Sequence, residues 1–222
     1  MKKIIVLFIL SVLIFSCKKS EAVPFGYNFY FEAPQPINDS ELSAFPNKFK
    51  GIYINSDSTC LNITDNVIFY ESETKFRFHK KQIDSLKQYF DIVDGKYISK
   101  NTNEIFRFCK VGDSVEFKSK NIDTIFKFSD SQKAKRINGC LVLSERDSIY
   151  WRVKLICLNK KTITIKQLFS EDDLKRIDSI TKIHSKLIDS TSFIITPMRI
   201  EFARFFKLKK LGFDQIYIKI NK

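Results

Sequence analysis

The chain has 222 residues, is 44% hydrophobic and 14% aromatic, and carries a formal net charge of +13. That apolar content excludes a disordered chain, and 22 Phe against 6 Gly and 5 Pro exclude a flexible low-complexity repeat. The charge invites a nucleic-acid reading, but no run of five consecutive Lys or Arg occurs; the densest segments are Lys207-Leu208-Lys209-Lys210 and Lys133-Ala134-Lys135-Arg136.

Met1-Lys2-Lys3 is a short cationic start, followed by residues 4–15, apolar at every position except Ser11. As a helix these twelve residues cover about 18 Å, well short of the roughly 30 Å hydrocarbon core of a bilayer. Charge, apolar run and a small residue before a cut form the pattern of a signal peptide, residues 1–16. The junction Ile14-Phe15-Ser16-Cys17 resembles a lipobox, with Phe15 in place of the usual small residue. Together with Lys18-Lys19 and the Phe-, Ile-, Lys- and Asn-rich strands beyond, it resembles the membrane lipoproteins of Bacteroidota. The resemblance implies lipid on Cys17 and export; it brings no activity, cofactor or catalytic residue with it. The lysines after the cysteine favour an anchor in the outer membrane facing the periplasm, where a nucleic-acid partner is not expected.

Pro24, Pro34, Pro36 and Pro46 crowd the next stretch and forbid regular helix. Residues 17–44 therefore read as lipid anchor and tether, with Phe25, Tyr27, Phe29, Tyr30 and Phe31 lying back on the domain or near the membrane interface. The folded domain is expected over 45–222, as one unit or as two lobes, 45–135 and 136–222. Its first part alternates apolar and polar residues as half-buried strands do: Ile52-Tyr53-Ile54, Cys60-Leu61-Asn62-Ile63, Val67-Ile68-Phe69-Tyr70, Phe76-Arg77-Phe78, Ile105-Phe106-Arg107-Phe108, Val115-Glu116-Phe117, Ile125-Phe126-Lys127-Phe128 and Cys140-Leu141-Val142-Leu143. Asp-Ser recurs eight times, at 39–40, 57–58, 84–85, 113–114, 130–131, 147–148, 178–179 and 189–190, and reads as turn punctuation. Residues 149–158 and 161–168 form the clearest hairpin, joined at Asn159-Lys160.

Ser170-Glu171-Asp172-Asp173 resembles a helix capping box, and Leu174 and Ile177 mark the inner face of the helix it opens. A strand at Phe193-Ile194-Ile195 precedes a second helix, capped by Thr196 with Pro197 at its first position. Met198, Phe202 and Phe205 are expected inside it, and Gly212 ends it. A last strand carries Ile216, Ile218 and Ile220 on one face. The fold class is α+β, mainly β: an antiparallel meander-rich N-terminal part followed by a β-β-α-β-α-β C-terminal part.

Cys60, Cys109, Cys140 and Cys157 remain once Cys17 is committed to lipid. An even count in an oxidising compartment permits two disulfides by any of three pairings, while strand positions without C-x-x-C spacing also suit free buried thiols. No nucleophile elbow, H-E-x-x-H or Gly-rich phosphate loop is present. His79 and His184 read as surface residues, and Glu71 and Glu73 as a polar loop. The sequence thus nominates no catalytic, cofactor-binding or metal-ligating residue, and one modified residue, Cys17.

The expectation is a lipid-anchored, non-enzymatic envelope protein that binds an envelope protein, lipopolysaccharide or an acidic glycan. Two other readings stay open. Gly51-Ile52-Tyr53 resembles the Gly-x-Trp opening of lipocalin-like barrels, with Tyr for Trp, which implies a carrier of a small apolar ligand. The remaining one is a hydrolase of envelope glycans or peptides. The anchor has a direct test: intact-mass analysis of membrane-extracted protein gives an acylated chain beginning at Cys17, and Cys17→Ala moves the protein to the soluble fraction.

Overall fold

The computed structural model describes residues 26–94, 96–180, 185–205, 207–208, 210–220 of the chain. The signal segment, Cys17, Lys18, Lys19, Phe25 and His184 lie outside the described residues. Within them fifteen strands form one curled sheet. In chain order these are β1 (Asn28–Phe31), β2 (Gly51–Ile54), β3 (Cys60–Ile63), β4 (Val67–His79) and β5 (Phe90–Val93). Then come β6 (Lys96–Ser99), β7 (Ile105–Val111), β8 (Ser114–Lys127), β9 (Gln132–Ile137) and β10 (Cys140–Asp147). The last five are β11 (Tyr150–Asn159), β12 (Thr162–Gln167), β13 (Lys186–Asp189), β14 (Ser192–Ile195) and β15 (Phe213–Lys219). Helices α1 (Ile83–Leu86), α2 (Glu171–Ile180) and α3 (Arg199–Phe205) complete the fold, which is α+β and mainly β.

The main path of the sheet runs β13-β14-β1-β11-β12-β15-β2-β3-β4-β8-β7-β6-β5, with β10 and β9 on the other edge of β11. Strands β10 and β11 show how it is packed on both sides. Leu141, Leu143 and Ile156 turn into a core closed by Tyr53, Leu61, Ile68, Phe126, Ile163 and Tyr217. Val142, Leu155 and Trp151 alternate with them and meet the helices through Ile177, Phe202 and Phe205. The first core draws on residues from both 45–135 and 136–222, so the two stretches share one interior. A third, smaller core at the far end packs Tyr97, Phe106, Val115 and Phe117 with Phe78, Ile83, Leu86 and Phe90.

Several expectations need correction. The fold begins well before residue 45. β1 pairs in parallel with β14 across Asn28–Ser192 to Phe31–Ile195, and Phe29 and Phe31 are buried. The following segment is held by Lys135, whose Nζ donates to the carbonyls of Pro34 at 3.1 Å and Pro36 at 2.9 Å. Lys135 is 7% exposed, and burial pulls its ammonium below its ordinary pKa. The 133–136 basic run is therefore partly structural, and Lys133 is paired with Glu41 at 3.1 Å.

The strands expected at 67–70 and 76–78 are one strand, β4, and those at 115–117 and 125–128 are one strand, β8. Residues 72–75 of β4 and 119–123 of β8 pair only across this ribbon and are polar apart from Ile122, so they carry no apolar alternation to read. β13 was not anticipated; all four of its residues are exposed. Asp84-Ser85 and Asp178-Ser179 fall in helices, where Ser85 Oγ donates to the Gln82 carbonyl at 2.7 Å and Ser179 Oγ to that of Arg176 at 2.9 Å. Met198 is 63% exposed: it stands at the start of α3, its carbonyl accepting from Phe202 N–H while its own N–H donates to Glu201 Oε2 at 2.9 Å. Of the cysteines, Cys140 and Cys157 form a disulfide between β10 and β11, and Cys60 and Cys109 are free.

Asp173 ties the C-terminal elements together. Ser170 Oγ accepts from Asp173 N–H at 3.2 Å, while Asp173 Oδ2 accepts from the N–H groups of Phe169 and Ser170, each at 2.9 Å. Its other oxygen accepts from Gly212 N–H at 2.6 Å, immediately before β15. Gly212 has φ 75°, and a Cβ there would stand 2.6 Å from the Gln167 carbonyl oxygen, so only glycine fits. Asp173 is 2% exposed. Asp173→Ala leaves three backbone donors without their acceptor and is expected to cost about 3 kcal/mol, read from the urea midpoint; Ser170→Ala, which removes one cap bond, is expected to cost about 1 kcal/mol.

Candidate functional site

The polar middle of the β4/β8 ribbon is concave and forms a cleft of about 750 Å³. Four cations line it, Lys96, Arg107, Lys118 and Lys120, against two carboxylates, Glu71 and Glu73; Cys60, Ile105 and three serines make up the rest of its wall. The strand register explains how they meet. Residues directly opposite in an antiparallel pair share a face. Arg107 stands opposite Lys118, and Lys118 opposite Lys75, so three cations form one row across β7, β8 and β4. The next row pairs Glu73 with Lys120, and the one after pairs Glu71 with Ile122.

The carboxylates on this face are already engaged. Glu71 pairs with Lys120 at 2.9 Å and Glu73 with Lys75 at 2.9 Å. Glu116 meets Arg77 at 2.8 Å and Lys118 at 3.2 Å. Arg77, with Lys118, holds the Glu116 carboxyl below its usual range; Lys75 does the same for Glu73, and Glu116 raises the Lys118 ammonium. Lys96 and Arg107 form no ion pair among the described residues. The cleft therefore sets four cations against two carboxylates, and the Lys96 ammonium and Arg107 guanidinium have no carboxylate partner among the described residues.

Glu71 and Glu73 belong to a strand and not to a loop, and they point to one face. A glycosidase acid needs a raised pKa, whereas that of Glu73 is lowered by Lys75. His79 is exposed and serves as a cap: its Nδ1 accepts from Lys81 N–H at 3.2 Å and its N–H donates to Gln82 Oε1 at 3.1 Å. Among the described residues no cluster of three or more His, Cys, Asp or Glu is placed to hold a metal ion, and no helix is long and apolar enough to cross a membrane. Tyr53, the counterpart of the barrel-opening Trp, is fully buried with its hydroxyl donating to the Phe49 carbonyl at 2.8 Å. Around it Phe45, Phe49 and Phe126 fill the sheet's interior where a carrier would hold its ligand.

Sequence reasoning missed the cationic row, although one signal for it was in view. On β4, β7 and β8, Phe76, Phe106 and Phe117 occupy one parity while Lys75, Arg107 and Lys118 occupy the other. Which charges become neighbours depends on a register that parity does not contain. Comparison of the chain with family models, curated proteins and solved structures returned no match.

Like charges directly opposite one another destabilise a sheet by a few tenths of a kcal/mol up to about 1 kcal/mol. Arg107→Ser is accordingly expected to stabilise the ligand-free protein by about 0.5 kcal/mol at low ionic strength. Chemical denaturation checks this, and the gain is expected to disappear in high salt.

Proposed function

We propose that this chain is a lipid-anchored, non-enzymatic envelope protein whose ribbon cleft binds an anionic envelope component. The observation that carries the reading is the row Lys75–Lys118–Arg107, with Lys96 lining the same cleft: cations side by side on one face, where like charges opposite one another disfavour strand pairing, two of them, Lys96 and Arg107, without a carboxylate partner among the described residues. An anion bridging the row would relieve that repulsion, and a cleft of this size admits several sugar-sized or phosphate-bearing groups. The lowered carboxyl of Glu73 and the capping role of His79 support binding over hydrolysis. The aromatic filling of the first core supports a surface ligand over one enclosed in a barrel.

In this reading the anchor and the cleft act together. Cys17 and Asn28 lie eleven residues apart in sequence, so lipid on Cys17 would keep β1 within about 40 Å of the membrane surface. The outer membrane, from its periplasmic side, is the proposed place of action, and an acidic glycan or lipopolysaccharide is the kind of partner the charge suits.

Dextran sulfate is a suitable polyanionic probe. Its affinity is expected to fall as salt is raised and to drop at least about tenfold, or roughly 1.4 kcal/mol, in Arg107→Glu/Lys118→Glu. The same reversal at Lys48 and Lys161, outside the cleft, is expected to have a much smaller effect. Equal losses at both places, or none at the cleft, would overturn the reading.

A further inference from the structure

We propose that the cleft's ligand is an amphiphile, a single anionic lipid whose phosphate-bearing head lies among Lys96, Arg107 and Lys118 and whose acyl chain lies along isoleucines of the same sheet face. This rests on the anion-binding reading above and adds an apolar half to it.

The register again supplies the geometry. Ile122 stands opposite Glu71, Glu71 opposite Cys60, Cys60 opposite Ile54, and Ile54 opposite Ile218. These five side chains form one row across β8, β4, β3, β2 and β15, and that row shares its face with the cations. Its ends are open: Ile122 is 61% exposed and Ile218 57%, with Ile216 beside it on the same strand and equally exposed. The opposite faces of these strands carry the buried Tyr53, Leu61, Ile68 and Tyr217, so the isoleucines are not needed for the core behind them. Between the exposed ends, Ile54 and Cys60 are half-buried and Glu71 interrupts the apolar run, so the row offers isoleucines at both ends and in its middle beside a charged rim. The one carboxylate in the row, Glu71, is neutralised by Lys120 at 2.9 Å.

The dimensions suit a lipid. Neighbouring strands are about 4.8 Å apart, so five side chains span about 19 Å, against roughly 15 Å for the acyl half-thickness of a bilayer. From the Lys75–Lys118 pair to the Glu71–Ile122 pair is four residues along the ribbon, about 13 Å, with the Lys120–Glu73 pair between them. Cations at one end and apolar side chains at the other give a head-to-tail order that a purely polar glycan leaves half unused.

The test uses the full chain carrying Cys17→Ala, titrated with dihexanoyl phosphatidylglycerol as monomers, with dihexanoyl phosphatidylcholine and, separately, with dextran sulfate. Ile122→Thr/Ile218→Thr keeps β-branched residues at exposed sites, and its circular dichroism should match the parent. This variant is expected to weaken phosphatidylglycerol binding about tenfold and leave dextran sulfate binding within about twofold. Arg107→Glu/Lys118→Glu is expected to weaken both, and phosphatidylcholine to bind least. If the isoleucine variant binds phosphatidylglycerol as the parent does while the charge reversal abolishes binding, the lipid proposal falls and the anion-binding reading stands. If the charge reversal changes neither probe, both fall. Binding to phosphatidylglycerol vesicles with none to monomers would also overturn the proposal, since it would describe adsorption to a surface and not a held lipid.

Discussion

Strand β15 exchanges backbone hydrogen bonds with neighbours on both of its edges, and the closed interior depends on that double pairing. Thr162 to Gln167 pair with it on one edge, and Tyr53 and Ile54 of β2 on the other. Without β15 the stretch from β2 to β8 and the stretch from β9 to β12 would have no ladder joining them on this side, and Tyr217 would not reach its stacking position beside Tyr70. The strand is delivered to its slot by local chemistry. Asp173 fixes the start of α2 with one oxygen and the Gly212 turn with the other, so one buried carboxylate sets the distance between a helix and the strand that seals the sheet. Long-range pairing of this kind is what makes β-rich domains slow to assemble, because loop closure precedes the bonds that reward it.

The N-terminal segment is secured by comparable means. β1 enters between β11 and β14, and Lys135 then clamps the proline-rich turn that follows it. A buried ammonium is tolerable there because two carbonyl oxygens receive its protons and Asp39 and Glu41 lie close enough to favour its charge. Both ends of the described chain are thus threaded into the sheet, and Tyr27, Phe29 and Phe31 pack in the second core and are not tether.

The β4/β8 ribbon is different in kind. Thirteen- and fourteen-residue strands bridge two packed regions, and residues 72–75 and 119–123 in their middles belong to none of the three hydrophobic cores, although Ser119 is itself buried. Released from packing, those positions are filled by charge, and the pairing register arranges the charges so that like meets like at Arg107, Lys118 and Lys75. A sheet selected for stability alone would alternate signs across the strands, as it does at Lys120 and Glu73. The departure falls in the same concave surface where the isoleucine row begins. A site placed on a ribbon held at both ends by packed cores has the rigidity that recognition requires without being buried by the cores themselves.

The sequence by itself determined the class of the fold, the hairpin at 150–167, the capping box at Ser170 and the gross placement of strands around a Phe-rich interior. These depend on residues near one another in the chain: a period of two, and a serine three residues before an aspartate; Gly212, expected to end the second helix, instead turns the chain into β15, the helix having ended at Phe205. It also carried the reading of Cys17 as an anchor, from a signal that involves no tertiary contact. Tertiary structure alone decided that β1 joins the sheet, that 67–79 and 114–127 are unbroken strands, that Cys140 pairs with Cys157, and that Met198 faces solvent while Phe202 does not. It alone decided the cleft as well. Lys75, Arg107 and Lys118 are unremarkable lysines and an arginine along the chain, and Ile54, Ile122 and Ile218 are ordinary strand residues. What makes them a row is the register between strands up to 164 residues apart from Ile54 to Ile218, and register is set by which faces can be buried together once all the strands are present.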